Sequence, residues 1–350
     1  MQRFNQRIVD AALKAGQSVD KVVVISLGDR PGRTLPDGAE FIGCNRSRWA
    51  CGFQFLRCLV QFRPSIVLLG HINLVPFALL SRLILPHVNN ALFVHGIEVW
   101  KMEGFLFRYW CQGIIVRTLF DNIISVSRFT ADVMKWRYRI NNFDFKILPN
   151  AVDVDEGAPP LFLPRPANRP PRILSVTRLA DRYKGILEVI SAVALLQKSI
   201  PDIEYHIVGD GPIKRELADH AKSLGLQNVV YFCGQVSDAE LVQAYQSADV
   251  FALPSRKEGF GIVFLEAWKY GLPVICGNVD AASEVVLDGN CGVVVDTSNI
   301  AAMAKALERL IKNPAQASKL ARNGYRRLMQ NYTQQNFVLN FGRILEGLTT

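Results

Sequence analysis

The residues best suited to chemistry fall in the second half of the chain. Glu258-Gly259-Phe260-Gly261 runs directly into an apolar segment, Ile262 to Trp268, interrupted by one acid, Glu266. Glycines at a strand-to-helix turn let the backbone approach a ligand closely, and the helix start then presents unpaired N–H groups to an anion. Glu258 stands at the mouth of such a turn, and Glu266 falls about 12 Å further along by helical rise. A carboxylate on an otherwise apolar helix needs a partner; a sugar diol satisfies it, and so does a buried Arg or Lys. A second cluster, Thr177-Arg178-Leu179 followed by Lys184-Gly185, sits just past an apolar run. Two cations there suit a diphosphate, Arg gripping two oxygens and Lys supplying a point charge, although isolated cations are also common on plain surfaces. A third, Val208-Gly209-Asp210-Gly211-Pro212, reads as a strand, a flexible turn and a proline at the first helical position. It lacks the third glycine of a dinucleotide fingerprint. It is either a loop lining a cleft or an ordinary connection.

The elements that must position these residues follow from periodicity. Val/Ile-rich runs alternate with helix-period segments, the grammar of parallel strands joined by crossover helices. Strands are expected at 22–27, 66–70, 92–95, 123–126 and 146–148, then at 173–176, 205–208, 229–232, 250–253, 274–276 and 292–295. The region from Asp153 to Arg172 has six prolines and no periodicity, so it reads as a linker. The expectation is an α/β chain of two doubly wound, Rossmann-like domains facing a cleft: 1–152, then a linker at 153–172, then 173–331. A terminal helix at 332–350 is expected to pack back toward the first domain. Such a domain ordinarily opens on a strand and a Gly-rich turn. This chain opens on a helix-like segment from Phe4 to Ala15, so that strand and turn are expected to be absent, as if the reading frame began about 20 residues late.

At 350 residues the chain suits two domains. The apolar stretch 65–94 is broken by His71, Asn73, Arg82, His87, Asn89 and Asn90 and does not read as a membrane span. No apolar run follows the basic start, so no signal peptide is read, and the expected address is the cytoplasm. Cys44, Cys51 and Cys58 recur every seven residues without zinc-type pairs, and all seven cysteines are expected to be reduced. The charge is uneven. Residues 1–150 hold 19 Lys and Arg against 10 Asp and Glu, whereas residues 151–350 hold 21 of each. A basic half attracts anionic headgroups, a diphosphate-bearing acceptor or nucleic acid, or is simply a solvated surface. Aromatic and cationic residues mix at 49–63 and 105–110, as in an interfacial helix. The competing reading makes both of them core helices.

Together the clusters resemble the retaining glycosyltransferases of family 4, which have the two-domain GT-B fold. The resemblance rests on Arg178 with Lys184-Gly185, the Gly-Asp-Gly-Pro turn, and Pro254-Ser255-x-x-Glu258-Gly-Phe-Gly with Glu266 beyond it. Weaker matches are Val94-His95-Gly96-x-Glu98, Ser125-Val126-Ser127 and Pro149-Asn150-Ala151-Val152-Asp153. The resemblance implies that Arg178 and Lys184 bind the donor diphosphate and that Glu258 faces the donor sugar. Glu266 would hold the nucleotide ribose, with Gly259, Phe260, Gly261, Ile262, Gly209 and Gly211 lining the donor site. His95 would reach the sugar from the first half. The implied reaction moves a sugar from a nucleotide-diphosphate donor to an acceptor hydroxyl with retention, without metal or cofactor, in surface polysaccharide or glycolipid assembly. The implied partners are that donor, a saccharide or lipid-linked saccharide acceptor and an anionic membrane surface. Nucleic acid is not among them, since the basic residues are scattered. A non-catalytic nucleotide-sugar-binding relative acting as a partner or regulator is the competing reading, motivated by the absent turn. A phosphorylase or epimerase of the same fold is a third.

Overall fold

The computed structural model describes all residues except 1, 15–18, 33, 34, 36–38, 101–105, 155–159, 161–168 and 350. Most of the expected linker, together with Asp155 and the start of the segment 105–110, lies outside the described residues. In chain order the elements of the first half are α1 (Gln2–Lys14), β1 (Val22–Ser26), β2 (Ala39–Gly43), α2 (Arg48–Phe62), β3 (Ile66–Leu69), α3 (Val75–Ile84), β4 (Asn89–Val94), α4 (Ile97–Trp100), α5 (Leu106–Leu119), β5 (Asn122–Ser125), α6 (Arg128–Tyr138) and β6 (Phe145–Ile147). There follow β7 (Arg172–Val176), α7 (Ile186–Leu196), β8 (Glu204–Val208), α8 (Lys214–Ser223), β9 (Val230–Gly234), α9 (Asp238–Ser247) and β10 (Val250–Leu253). The chain ends with α10 (Ile262–Lys269), β11 (Val274–Gly277), α11 (Ala282–Val286), β12 (Val293–Val295), α12 (Ile300–Lys312), α13 (Pro314–Asn331) and α14 (Gln334–Thr349). It divides into two compact units, one of residues 1–150 with 334–350 and one of residues 151–333.

In the first unit α14 lies along α1. The Phe4 ring stands edge-on to Phe93 of β4 at 5.6 Å and to Phe337 of α14 at 5.7 Å. The strands here form two parallel sheets among the described residues, β1-β2 and β3-β4-β5-β6. α1 precedes every strand. Strand β2 was not expected from the sequence: Glu40, its second residue, breaks the apolar run and pairs with Lys21 at 2.9 Å. The expected strand 92–95 is longer and earlier, at 89–94, leaving His95 just beyond its end. Cys51 and Cys58 lie on the buried face of α2, and the Cys51 thiol is pushed up to about 11 by burial and by neighbouring Cys44. All seven cysteines are free thiols.

The second unit is one six-stranded parallel sheet in the order β12-β11-β10-β7-β8-β9. Its first strand, β7, is internal. The chain winds outward through β8 and β9, then crosses back to β10 and winds the other way. The turning point therefore lies between β7 and β10, where loops leave the strand ends in opposite directions and open a crevice. β10 (Val-Phe-Ala-Leu) and β11 (Val-Ile-Cys-Gly) are buried along their whole length, as strands covered by helices on both faces must be. No helix among the described residues is long and apolar enough to cross a membrane.

Candidate active site

The two loops at this turning point carry the sequence-derived residues. Past β7 the chain runs through Arg178 to a short 3-10 turn, Arg182–Lys184. Past β10 it runs through Pro254 and Ser255 to Glu258. The Arg256 N–H donates to the Tyr183 carbonyl at 2.8 Å, stitching one loop to the other. Gly185 then adopts φ +77°, and a Cβ there would run into the Pro254 carbonyl oxygen. A side chain at 185 would thus force the loops apart. The result is a direct ion pair, Lys184 Nζ to Glu258 Oε2 at 2.8 Å, with both side chains about one-fifth exposed.

Glu258 is held from behind by a residue the sequence reading missed. Asp280 is fully buried just past β11, beside β10 in the sheet. Its carboxylate accepts the Glu258 N–H at 2.9 Å and the Ala282 N–H at 3.0 Å. Burial pushes its pKa up to about 7; the Glu258 charge adds to the rise, and the two backbone donors oppose it. The available signal was an acid just beyond the end of the strand next to β10.

Gly261 caps α10 with no side-chain hydrogen bond, so the N–H groups of the first turn are not taken by a cap. Gly259 and Phe260 are buried at this turn, and Ile262 is half-buried as the first helical residue. Glu266 lies on α10, where Tyr245 of α9 donates its O–H to Glu266 Oε2 at 2.8 Å. Tyr245 is buried and stacks on Tyr270 at 5.4 Å. Burial and the neighbouring carboxylate hold its phenol well above the usual range. Sequence reasoning offered a sugar diol or a buried cation as the partner of Glu266, and a tyrosine hydroxyl fills that place here.

Arg178 is exposed at the end of β7. The segment around it is fixed by backbone: Leu179 N–H donates to the Asp210 carbonyl and Thr177 N–H to the Val208 carbonyl, each at 3.0 Å. A Cβ on Gly209 would strike the Thr177 carbonyl, and one on Gly211 the Leu179 carbonyl. The Gly-Asp-Gly-Pro turn is therefore built to pack directly under the Arg178 loop.

His95 belongs to the first unit. Its ring stands edge-on against Phe4 at 4.7 Å, and its Nε2 is buried without a hydrogen-bond partner among the described residues. Burial lowers its pKa to about 4, against an opposing hydrogen bond with the Gly70 backbone. Its N–H donates to buried Glu98 at 3.0 Å, whose carboxyl burial pushes up. The structure thus brings Lys184 and Glu258 into contact and packs the 209–211 turn under the loop that bears Arg178. It sets Glu266 on the helix that follows Glu258 and places His95 in the other unit.

Two Rossmann-like units in one chain, with a cation–carboxylate pair at the second unit's turning point, define the GT-B architecture. Solved structures agree in fold. Sucrose-phosphate synthase from Thermosynechococcus elongatus superposes with a TM-score of 0.78 at 20% identity, covering 99% of this chain and 92% of that one. Anabaena HepE in complex with UDP gives 0.76 at 17% identity, covering 98% and 96%. Residues 6–156 match the model of Glycosyltransferase Family 4, and residues 164–327 match that of Glycosyl transferases group 1. The chain belongs to the family 4-like glycosyltransferases of the GT-B fold. It is 34% identical to the GDP-mannose-dependent alpha-(1-6)-phosphatidylinositol monomannoside mannosyltransferase of Mycolicibacterium smegmatis over 213 residues, 57% of this chain and 56% of that protein. The chain spans little more than half the length of the curated relatives it matches.

Proposed function

We propose that this protein transfers a sugar from a nucleoside-diphosphate donor to an acceptor hydroxyl, with retained configuration and without a metal, in glycolipid or polysaccharide assembly. The observation that carries the reading is the Lys184–Glu258 pair at 2.8 Å, set at the turning point of the sheet beside the uncapped start of α10. Cleaving the bond between a sugar and a diphosphate requires charge stabilisation at both the departing oxygens and the sugar. Groups positioned in advance supply it without reorganising during the reaction. In this reading Lys184, Arg178 and the first N–H groups of α10 meet the diphosphate. Glu258 meets the sugar hydroxyls, and Glu266, steadied by Tyr245, takes the ribose. The Asp280 bond to the Glu258 backbone fixes the loop that presents the carboxylate.

The donor class is supported by relatives whose names carry GDP-mannose and by a structural neighbour solved with UDP. Retention is carried over from the family resemblance. A role for His95 at the sugar requires uncovering its buried Nε2, and an unchanged rate in His95→Ala removes it from the reading. The decisive experiment measures nucleoside-diphosphate release from UDP- and GDP-sugars by the purified chain with candidate acceptors, including phosphatidylinositol mannosides and soluble glycans. NMR of the product then reads the anomeric configuration. Arg178→Ala with Lys184→Ala lowers turnover at least about 100-fold. A double variant working at near wild-type rate overturns the assignment.

A further inference from the structure

Helix α2 is apolar on two opposite faces. Cys51, Cys58 and Leu59 turn inward and are buried. Trp49, Phe53, Leu56 and Val60 turn outward, and Trp49, Phe53 and Val60 are exposed at 91%, 66% and 63%. Steps of four, three and four residues place these outward residues in one stripe along the helix. An apolar helix face is ordinarily packed against a partner, yet this second one is open to solvent.

Neighbouring helices carry exposed apolar residues of their own. α3 packs against both α2 and α5, and Phe55 meets Phe77 edge-on at 4.9 Å across the first of these contacts. α3 contributes exposed Leu79 and Leu83, and α5 contributes exposed Trp110, Ile114 and Ile115. Patches of this kind, spread over adjacent elements, mark interaction surfaces rather than scattered surface residues.

Charge selects the partner. Between Glu40 and Glu98 the chain has no acidic residue and five arginines. Arg46, Arg48, Arg57 and Arg63 lie on α2 or at its ends and are exposed, while Arg82 is engaged by Asp121 at 2.6 Å. A second copy of the same face would set arginines against arginines across a two-fold interface, which is repulsive. An anionic bilayer offers what both features need: an apolar layer for the Trp-led stripe and negative headgroups for the arginines around it. We propose that the α2–α3–α5 face docks this protein onto anionic phospholipid, with α2 lying in the plane of the headgroups. This surface stands independently of the donor assignment and names the phase in which a lipid-linked acceptor would be met.

The test is co-sedimentation with phosphatidylcholine vesicles, with and without phosphatidylglycerol, at low and high salt. Quenching of Trp49 by brominated lipid is read in parallel, with Trp49→Phe assigning that signal. The expected result is binding that needs the anionic lipid and weakens with salt. A triple variant, Trp49→Ser, Phe53→Ser and Val60→Ser, loses at least about tenfold in vesicle affinity, with unchanged thermal unfolding and unchanged nucleotide binding. Absence of binding at low salt, equal binding to neutral vesicles, or full binding by the triple variant each overturns the proposal. So does a dimer seen by analytical ultracentrifugation that the triple variant dissolves while vesicles bind neither form. Nucleotide binding is measured on the same samples, so a failed donor assignment is read separately from failed docking.

Discussion

Lys184 Nζ and Glu258 Oε2 lie 2.8 Å apart although 74 residues separate them in sequence, because their loops leave adjacent strands at the point where the sheet reverses its winding. Both side chains are partly solvated, so the pair contributes at most about 1 kcal/mol to stability. In the proposed donor site its role is charge placement. Lys184→Met and Glu258→Gln are expected to shift the unfolding midpoint little, while each lowers turnover at least about 100-fold. Denaturant unfolding and initial rates on the same preparations check this. A large stability loss with modest rate loss reverses the interpretation and makes the pair a structural tie.

Asp280 imparts a pH signature. Its folded pKa, about 7, lies above the ordinary 3.8, so the folded chain binds more protons than the unfolded one between those values. Stability linked to this group is therefore complete below pH about 3.8 and is lost as pH rises through about 7, with a slope of up to about 1.4 kcal/mol per pH unit. Asp280→Asn keeps one acceptor for two backbone donors and is expected to destabilise by about 1–3 kcal/mol at low pH. The deficit narrows toward neutrality, because only the wild type loses stability on the way. Urea melts of both proteins across that range measure it, and a constant gap refutes the linkage.

The Tyr245 hydroxyl steadies Glu266 and nothing else in the proposed donor site. Tyr245→Phe removes that bond and keeps the ring stack on Tyr270. It is expected to weaken nucleoside-diphosphate affinity about threefold to tenfold with little change in the maximal rate. Calorimetric titration with UDP and GDP, beside steady-state kinetics, separates the two. An affinity identical to wild type means that the Tyr245 bond does not position the ribose contact.

His95 is expected to remain neutral through the physiological range, since burial lowers its pKa to about 4. A histidine held below its unfolded value contributes stability that fades as pH falls from about 6.5 toward 4. Long-range proton–nitrogen NMR of the ring is expected to show no titration above pH about 5. A midpoint near the free-histidine value means that the ring reaches water.

Much of this was legible in the residues. Runs such as Val250-Phe-Ala-Leu announce a strand buried on both sides, and the order Arg178, Lys184, Glu258, Glu266 carries the family's pattern. What escaped had physical causes. β2 hides because Glu40, an outward residue satisfied by Lys21, interrupts its apolar pattern. Asp280 works through backbone N–H groups, which leave no trace in side-chain chemistry, and its closeness to Glu258 arises only when β10 and β11 pair. Tyr245 meets Glu266 across two helices whose faces periodicity cannot bring into register. The outer stripe of α2 was ambiguous for a related reason: four apolar residues at helical spacing look the same whether they face a core or an open surface.

The separation of the first unit's strands into a pair and a quartet has a consequence for handling the molecule. β1, β2, β3 and β6 each end a sheet, so each keeps one flank of peptide donors and acceptors outside any ladder among the described residues. Such flanks accept whatever extended chain comes alongside, including a neighbour's. Concentration and gentle heating should therefore turn solutions turbid through this half first. The other unit has two such strands among the described residues, β9 and β12, at the ends of its single six-stranded ladder, while β7 and β10 are laddered on both sides.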